Sequence, residues 1–545
     1  MSSSEQSEKS PASSSGVSRR AFVTTVAGAG AAFMIVPRHV LGRGFQAPSD
    51  IVNVAAIGIN GQGAVNTRAV MSQNIVAICD CDLDLLDNRL AQWTKELQEG
   101  GGGRRTTGQG GGGARQARAE GGETPAGWKV WPASQAQLAA NARWPAEDET
   151  ATLRKFVEGD LPRLQKYQDY REMLEKQKDI DAVIVATPDH MHAVQASNAM
   201  DLGKHVYVQK PLCWSVHEAR HLAKKAAEKK VAGQMGNQLH SLDMNRRAVE
   251  YITAGALGEV REVHVWTNRP YGFWPQGVPR PSRSNVDPAQ LRWDNRGLTQ
   301  RLSAAMSGDY KVPDRLSWDL FLGVAPEVEY HPVYHPFNWR GWVDWGVGAL
   351  GDMGAHLIDF PVWALNLGQP TVVETEFTPF NGASYPHATT TRYEFPKRKG
   401  FPELFMTWYD GGLMPGDPSE LGPNETLSPG GGILYVGKKG KLLQDSNGVR
   451  LLPVERHNSY GPPKERLPRV PHEDHEMNWI NAIKGKDQLS SPMDYAALLT
   501  EIMLLGIVSL RASSKLYYDA PSMRVTNNQE ANEFLTREYR KGYSL

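Results

Sequence analysis

The chain has 545 residues, of which 40% are hydrophobic and 22% are charged, and its 60 basic residues balance 60 acidic ones. This length exceeds what one hydrophobic core ordinarily serves, so we expect a globular protein of two domains. A net charge of zero gives no support for binding to nucleic acid or to an anionic surface, because both require a basic excess. Three cysteines do not make a disulfide framework, and no second Cys pair accompanies Cys79 and Cys81, so we expect no metal site.

The first 49 residues are predicted to be a targeting signal and a linker. Arg19 and Arg20 precede an apolar, Gly- and Ala-rich run over residues 21–36, which is short for a membrane span of about 20 residues. This pattern is typical of a twin-arginine export signal and predicts a periplasmic protein; the alternative is a chance Arg pair before a short core helix. No A-x-A cleavage site follows, so the segment could be retained, and we expect membrane contact only through such an uncleaved signal.

Residues 51–80 predict a strand, a glycine turn, a helix over 64–71 and a second strand that ends in Asp80. Aligned on Gly58, the G-x-G-x-x-G pattern has Asn60 in its middle position, Gly61 beside it and Gly63 at its end. Such a turn lets the backbone approach a pyrophosphate at the helix N-terminus; the alternative is an ordinary strand–helix turn. Asp80 would accept hydrogen bonds from a ribose 2′-hydroxyl and repel a 2′-phosphate, so NAD is favoured over NADP.

Two further apolar runs, residues 182–186 and 205–208, lead into Thr187-Pro188 and Lys210-Pro211. Helices predicted over 191–201 and 215–229 alternate with these strands, which indicates a doubly wound parallel sheet of an α/β protein. Ligands of such sheets bind beyond the carboxyl ends of the strands, so we expect these residues to converge on the cofactor. We assign residues 50–235 to this Rossmann domain.

Residues 98–150 interrupt this domain with a Gly- and Arg-rich segment of low complexity. Such a composition cannot bury enough apolar surface to become ordered, so it predicts a disordered insertion. The alternative is a binding arm that uses its arginines.

Residues 236–545 are predicted to form a second α/β domain. Its strand candidates, 371–378, 389–395, 403–409, 432–436 and 450–453, lack regular helical crossovers, which indicates a mostly antiparallel open sheet.

The stretch "WGVGALGDMGAH", residues 345–356, places Asp352 and His356 on one face of a helix. Its four glycines are poor helix formers, and we expect them to let a ligand close to the backbone. The alternative is a capped helix with a surface Asp and a packed His.

Four motifs together resemble the glucose–fructose oxidoreductase / inositol dehydrogenase / MocA family of NAD(P)-dependent sugar and polyol oxidoreductases. They are the glycine turn at 58–63, "ATPDHMH" at 186–192, "VYVQKPL" at 206–212 and "GDMGAHLID" at 351–359. "YHPFNWR" and "QMGNQLHS" extend the resemblance to a secreted subgroup. Where the family usually has Glu-Lys-Pro, this chain has Gln209-Lys210-Pro211. Any role of the glutamate is therefore lost.

The resemblance implies catalytic roles for Lys210, Asp352 and His356. His356 would be the base, Lys210 would hydrogen-bond the substrate oxygen, and Asp352 would bind a neighbouring hydroxyl or orient His356. His190 would shape the cofactor site, and a homo-oligomer is implied. By resemblance and chemistry, the candidate substrate wall is His240, Tyr334, His335, Trp339 and Arg340.

The leading hypothesis is therefore an exported NAD-dependent oxidoreductase that acts on a secondary hydroxyl or ketone of a sugar, polyol or glycoside. The alternative is a lyase or glycosidase that oxidises its substrate transiently and recycles a tightly held NAD. A non-catalytic sugar-binding protein is a third hypothesis, and the retained Lys210, Asp352 and His356 argue against it. "HEDHE" at 472–476 has its histidines three apart, so it is interpreted as a helix start and not as a zinc motif.

Overall fold

The computed structural model describes residues 51–100, 122–124, 126–281, 306, 308 and 310–545. The predicted export signal lies outside the described residues, as do residues 101–121 of the predicted insertion.

The first sheet of the described chain has six parallel strands. The six strands are β1 (Asn53–Ile57), β2 (Asn74–Cys79), β5 (Gln165–Tyr167), β6 (Ala182–Val185), β7 (His205–Gln209) and β8 (Gly233–Gly236). Two short strands between β2 and β5, β3 (Gly122–Glu123) and β4 (Lys129–Val130), form a separate hairpin. The order of the six strands in the sheet is β5-β2-β1-β6-β7-β8, with every pair parallel. All four residues of β6 are buried, because helices cover both faces of such a sheet.

Helices connect these strands and bury both faces. They are α1 (Gln62–Ala69), α2 (Leu83–Gln98), α3 (Gln135–Arg143), α4 (Glu149–Arg154), α5 (Tyr170–Lys176), α6 (Asp189–Asp201) and α7 (Val216–Lys229). Ser215 begins α7 with a capping box to Glu218, which satisfies backbone N–H groups at the helix start. Along β1, Ala55 and Ile57 belong to one apolar cluster, whereas Val54 and Ala56 belong to another. The doubly wound α/β fold is thus confirmed.

The prediction of a disordered insertion over 98–150 is wrong for its described C-terminal part. Residues 126–150 contain β4, α3 and the start of α4, and Trp128 is only 3% exposed. Ser134 caps α3 by accepting a hydrogen bond from Gln137 N. The composition of the whole segment concealed a short stretch, "GWKVWPASQAQLAA", that has apolar residues and a helix cap of its own.

The second sheet of the described chain has nine strands. They are β9 (Val260–Thr267), β10 (Val372–Phe377), β11 (Thr389–Phe395), β12 (Leu404–Tyr409), β13 (Gly431–Gly437), β14 (Gly440–Asp445), β15 (Gly448–Leu452), β16 (Leu516–Asp519) and β17 (Arg524–Val525). The order is β15-β14-β13-β9-β12-β11-β10-β16-β17. Strands β9 and β12 pair in parallel and the other neighbours are antiparallel, so the mostly antiparallel sheet is confirmed.

The helices of this second half pack on both sheets. They are α8 (Asp243–Thr253), α9 (Trp318–Leu322), α10 (Gly348–Leu357), α11 (Asp359–Ala364), α12 (Val454–Tyr460), α13 (His475–Ile483) and α14 (Met493–Ala512). Trp479 and Ile480 of α13 join an apolar cluster of the first sheet, so the chain returns to the first domain.

Among the described helices, α14 alone is long and apolar enough to cross a membrane. Its most apolar window is 83% buried inside the molecule. It packs against α7, α10 and β10, which is the environment of a core helix.

Candidate active site

The glycine turn follows β1 and holds α1 close to the first sheet. Gly58 has φ +83°, and a Cβ there would lie 2.5 Å from Ala186 O. A Cβ on Gly63 would lie 2.1 Å from Gly58 O, so both positions require glycine. The side-chain amide nitrogen of Asn60, Nδ2, is buried and has no hydrogen-bond partner among the described residues. A buried donor beside a helix N-terminus suits the phosphates of a dinucleotide.

Asp80 stands at the end of β2, beside this turn. Its Oδ2 accepts a hydrogen bond from Ile59 N (3.1 Å) and its Oδ1 accepts one from Asp82 N (3.1 Å). Burial raises the pKa of Asp80 to about 6, against the opposing effect of these backbone donors. The group is mainly ionised at neutral pH, and each oxygen retains a lone pair for a ribose hydroxyl.

A cavity of about 520 Å³ lies over these strand ends. The predicted cofactor residues that line it are Gly58, Asn60, Gly61, Asp80, Thr187, Pro188 and Lys210. Gly63 acts behind the wall through the turn, and Pro211 also lies outside the lining. The glycines, the Asn60 amide and the Asp80 carboxylate therefore fit a dinucleotide in this nucleotide cavity.

His190 does not shape this cavity, contrary to the prediction. It is fully buried, and its Nε2 lies 3.0 Å from Phe321 O. Its neighbours Asp189 and Met191 line the cavity instead, because successive residues on a helix face different directions.

His192, which ends the "ATPDHMH" motif, joins two strand ends. Its ring nitrogens lie 2.8 Å from Thr187 O and 2.9 Å from Pro211 O. Pro211 thereby supports the wall of the nucleotide cavity through its carbonyl group.

A second cavity, of about 620 Å³, is lined by Lys210, Arg269, Arg340, Asp352 and His356. Lys210, Arg340 and Asp352 also line the nucleotide cavity, so the two cavities meet at these residues. Because β7 ends at Gln209 and α10 carries Asp352, this junction joins the two halves of the chain.

Lys210 and Asp352 form an ion pair at the junction. Lys210 Nζ donates to Asp352 Oδ1 (2.6 Å) and to the carbonyl oxygen of Asp352 (2.8 Å). Arg269 Nη1 lies 3.5 Å from Asp352 Oδ2, and Arg340 Nε lies 4.0 Å from Oδ1. Burial would raise the pKa of Asp352, but Lys210 and the two arginines outweigh it and lower that pKa to about 2. The carboxylate therefore stays ionised and fixes the position of the Lys210 ammonium group.

His356 lies one helical turn after Asp352 and lines the second cavity. Burial, and then the nearby Lys210, lower its pKa to about 3, so the imidazole is neutral at physiological pH. Its Nδ1 is buried without a hydrogen-bond partner in the described part of the chain. A neutral imidazole in a cavity can accept a proton from a bound hydroxyl group.

The glycines of α10 serve packing within the protein and not the approach of a ligand. A Cβ on Gly351 would lie 2.0 Å from Val347 Cγ2, and one on Gly354 would lie 2.8 Å from Met503 Sδ of α14. Gly348 has φ +62° at the helix start. The expectation that these glycines admit substrate is therefore corrected.

The predicted substrate wall is divided between the two cavities. Arg340 lines both, whereas His335 and Trp339 line the nucleotide cavity alone. Burial lowers the pKa of His335, whose Nε2 lies 3.6 Å from Asp82 Oδ2.

His240 and Tyr334 line neither cavity, so their assignment to the substrate wall is wrong. His240 Nδ1 lies 3.0 Å from Asp359 Oδ1, and its ring stacks on Trp363 at 3.9 Å. Tyr334 packs edge-to-face against Trp342 and is 2% exposed. The aromatic residues of this region form a hydrophobic core of their own. Their position in the sequence, shortly before "GDMGAHLID", gave no sign of this packing.

Sequence reasoning missed two parts of the second cavity. Arg269 follows β9, and its contact with Asp352 leaves no local sequence signal. Trp128 and Trp131 also line the cavity; their spacing in "GWKVW" was a signal, but the surrounding low complexity concealed it.

The three cysteines are free, and Cys79 and Cys81 line the nucleotide cavity. Within the described ranges, no group of three or more His, Cys, Asp and Glu side chains is placed to hold a metal ion.

A Rossmann-type cavity meets a second cavity at a Lys–Asp pair, and this arrangement fits the class of two-domain, dinucleotide-binding proteins. Residues 145–237 match the family model for the oxidoreductase family with an NAD-binding Rossmann fold, GFO_IDH_MocA. Residues 302–379 match the C-terminal alpha/beta domain of the same oxidoreductase family. Two segments of the chain are therefore similar to the two domains of the Gfo/Idh/MocA oxidoreductase family.

Individual relatives are distant. The chain is 31% identical over 122 residues to 1-carboxy-3-chloro-3,4-dihydroxycyclohexa-1,5-diene dehydrogenase of Comamonas testosteroni, which covers 22% of this chain and 30% of that protein. It is 29% identical over 92 residues to levoglucosan dehydrogenase of Pseudarthrobacter phenanthrenivorans, covering 17% and 23%. The chain thus spans under a third of either relative. The WlbA dehydrogenase of Bordetella pertussis, solved with NADH and UDP-GlcNAcA, has 14% identity and a TM-score of 0.48, covering 86% of this chain and 99% of that one.

Proposed function

We propose that this protein is an NAD-dependent oxidoreductase that oxidises or reduces a secondary hydroxyl or ketone of a sugar, polyol or glycoside. The observation that carries the proposal is the junction of the two cavities at Lys210 and Asp352, with the neutral His356 on the second cavity. The similarity to levoglucosan dehydrogenase supports a carbohydrate substrate.

The proposed roles follow from the charges at the junction. Oxidation of a secondary alcohol requires a base for the hydroxyl proton, and NAD, when bound, supplies the hydride acceptor. His356 accepts the hydroxyl proton because it is neutral and faces the second cavity. Lys210 donates a hydrogen bond to the substrate oxygen and stabilises its developing negative charge. Asp352 stays ionised and holds the Lys210 ammonium group in place.

Asp80 supports a preference for NAD over NADP, because its carboxylate would repel a 2′-phosphate. Arg19 and Arg20 support export by the twin-arginine route, which carries folded proteins. Free NAD is scarce outside the cytoplasm, so we propose that the cofactor is held tightly. Homo-oligomerisation, and membrane contact through an uncleaved signal, are further parts of the proposal.

The test is to purify the protein, release and identify any bound nucleotide, and follow NADH absorbance with a panel of sugars, polyols and glycosides. Net formation of NADH supports the oxidoreductase. Cleavage of a glycosidic bond without net NADH would replace it with the lyase or glycosidase that oxidises transiently. A protein that neither contains nor binds NAD would overturn both.

A further inference from the structure

The second cavity has a wall that comes from the first domain. We call residues 126–141 the wall segment; it lies in the chain between β2 and β5 of the first sheet. The wall-segment residues that line the second cavity are Trp128, Lys129, Val130, Trp131, Ala133, Gln137 and Asn141. The hydrogen bonds and ion pairs described above for Lys210 and Asp352 involve no residue of the wall segment.

The wall segment is fixed to the second half of the molecule at several points. Lys129 N donates to Asn458 Oδ1 (2.9 Å), and Ser134 Oγ donates to Asp243 Oδ1 (2.6 Å). Gln137 Nε2 donates to the carbonyl oxygen of Val470 (2.9 Å). An insertion of the first domain is therefore built into the second cavity.

The two tryptophans are held in defined positions. Trp131 Nε1 donates to Tyr251 OH (2.9 Å), and Tyr251 OH donates to Gly461 O (2.8 Å). Trp128 is buried against Gly448, where a Cβ would lie 2.8 Å from the indole ring. Trp131 is only half-buried, and Tyr251 completes this part of the lining.

We propose that this aromatic wall binds a second ring of the substrate, so that the enzyme selects glycosides or disaccharides over free monosaccharides; the inference rests on the proposed function. The half-buried indole ring of Trp131 offers a flat apolar surface to a sugar ring or an aryl aglycone, while its N–H group is bonded to Tyr251. A cavity of about 620 Å³ is within the range of sites that enclose whole small ligands. Trp131 is the specificity-determining residue in this proposal, because its indole is fixed by Tyr251 and remains partly exposed.

The experiment compares full-length Trp131→Ala with wild type on matched pairs of substrates: a monosaccharide, and its disaccharide and p-nitrophenyl glycoside. The wild type is expected to have a higher kcat/KM for the two-ring substrates. Trp131→Ala is expected to lower that kcat/KM at least about 10-fold and to change the monosaccharide value less than about 2-fold. Trp131→Phe keeps an aromatic face and is expected to retain most of the preference.

Trp144→Ala is the matched control. Trp144 lies just beyond α3, where Arg143 packs over its ring at 4.1 Å, and it does not line the cavity. Trp144→Ala should leave kcat/KM unchanged for the monosaccharide and for the two-ring substrates. Equal losses on one-ring and two-ring substrates in Trp131→Ala, or no two-ring preference in the wild type, would overturn the inference.

If the protein binds NAD but oxidises no sugar, the proposed function fails separately. Calorimetric titration of NADH-loaded protein with the disaccharide then decides the inference. A Kd raised at least about 10-fold in Trp131→Ala supports the aromatic wall, whereas an unchanged Kd or no binding overturns it.

Discussion

At the scale of single residues, the proposed chemistry depends on a neutral histidine, His356, near the ammonium group of Lys210. We expect His356→Ala to lower kcat by about 10²- to 10⁴-fold, which is the usual contribution of a general base. Binding of NADH, measured by fluorescence titration, should be unchanged because His356 lines only the second cavity. His264→Ala, on strand β9 beside Tyr409, is the matched control and should retain activity. Undiminished turnover by His356→Ala would refute the base assignment.

Asp189 gives a prediction about pH. Its Oδ2 accepts a hydrogen bond from Val347 N, and burial raises its pKa to about 7, with Arg340 and Lys210 opposing and Asp352 reinforcing the rise. A carboxyl group whose pKa is higher in the folded than in the unfolded protein contributes its full stabilisation at pH values below the unfolded-state pKa, which is about 3.8. That stabilisation is lost as the pH rises toward 7.

The Asp189→Asn variant, which cannot titrate, should therefore gain stability relative to wild type between pH 4 and pH 8. The expected change in the difference of unfolding free energies is roughly 2–4 kcal/mol, since each pKa unit corresponds to about 1.4 kcal/mol. Denaturant unfolding at a series of pH values measures it. A difference that stays constant with pH would contradict the assignment of the raised pKa.

At the scale of elements, helix α10 positions Asp352 and His356 by packing tightly on α14. Gly354→Ala should destabilise the protein by about 1–3 kcal/mol, because the added methyl group meets Met503 Sδ at 2.8 Å. In a Met503→Ala background, Gly354→Ala should lower the free energy of unfolding by less. Gly368→Ala is the control, since nothing lies within 4 Å of a Cβ there. Thermal unfolding that is equally affected by both glycine substitutions would contradict the packing role of Gly354.

Elements with a strong periodic signal could be predicted, and short elements could not. The buried strand β6 is a continuous apolar run, so the sequence identified it directly. Strands β14, "GKLLQD", and β16, "LYYD", lack such a run and were missed. Helix α3 was missed because its neighbours are glycine-rich, although Ser134 caps it. Local composition does not identify short segments whose order comes from tertiary contacts.

At the scale of the whole molecule, the sequence identified the site residues that lie at strand ends or on one helix. It did not identify the residues that reach the site from loops. Lys210 follows a strand end, and Asp352 and His356 share a helix face, so each had a positional reason. Arg269 and Trp131 reach the second cavity through contacts between distant parts of the chain. Resemblance and chemistry assigned His240 and Tyr334 to the substrate wall, and the structure buries both in packing.

The proposed export by the twin-arginine route also concerns the whole chain. Replacing Arg19 and Arg20 by lysines should keep the protein in the cytoplasmic fraction, because the twin-arginine route recognises the arginine pair. Immunoblots of fractionated cells measure the distribution, and the retained protein should show wild-type activity. Equal export of the lysine variant would contradict the signal assignment.

Isotope transfer tests the proposed hydride transfer at the junction of the two cavities. NAD-loaded protein is mixed with a sugar or glycoside that carries deuterium on its carbons, the reaction is quenched, and the cofactor is analysed by mass spectrometry. We predict deuterium in the reduced nicotinamide, formed at least about 100-fold more slowly by a Lys210→Met variant that still binds NAD. A wild-type protein that binds NAD and the deuterated substrate but transfers no deuterium would contradict hydride transfer at this junction.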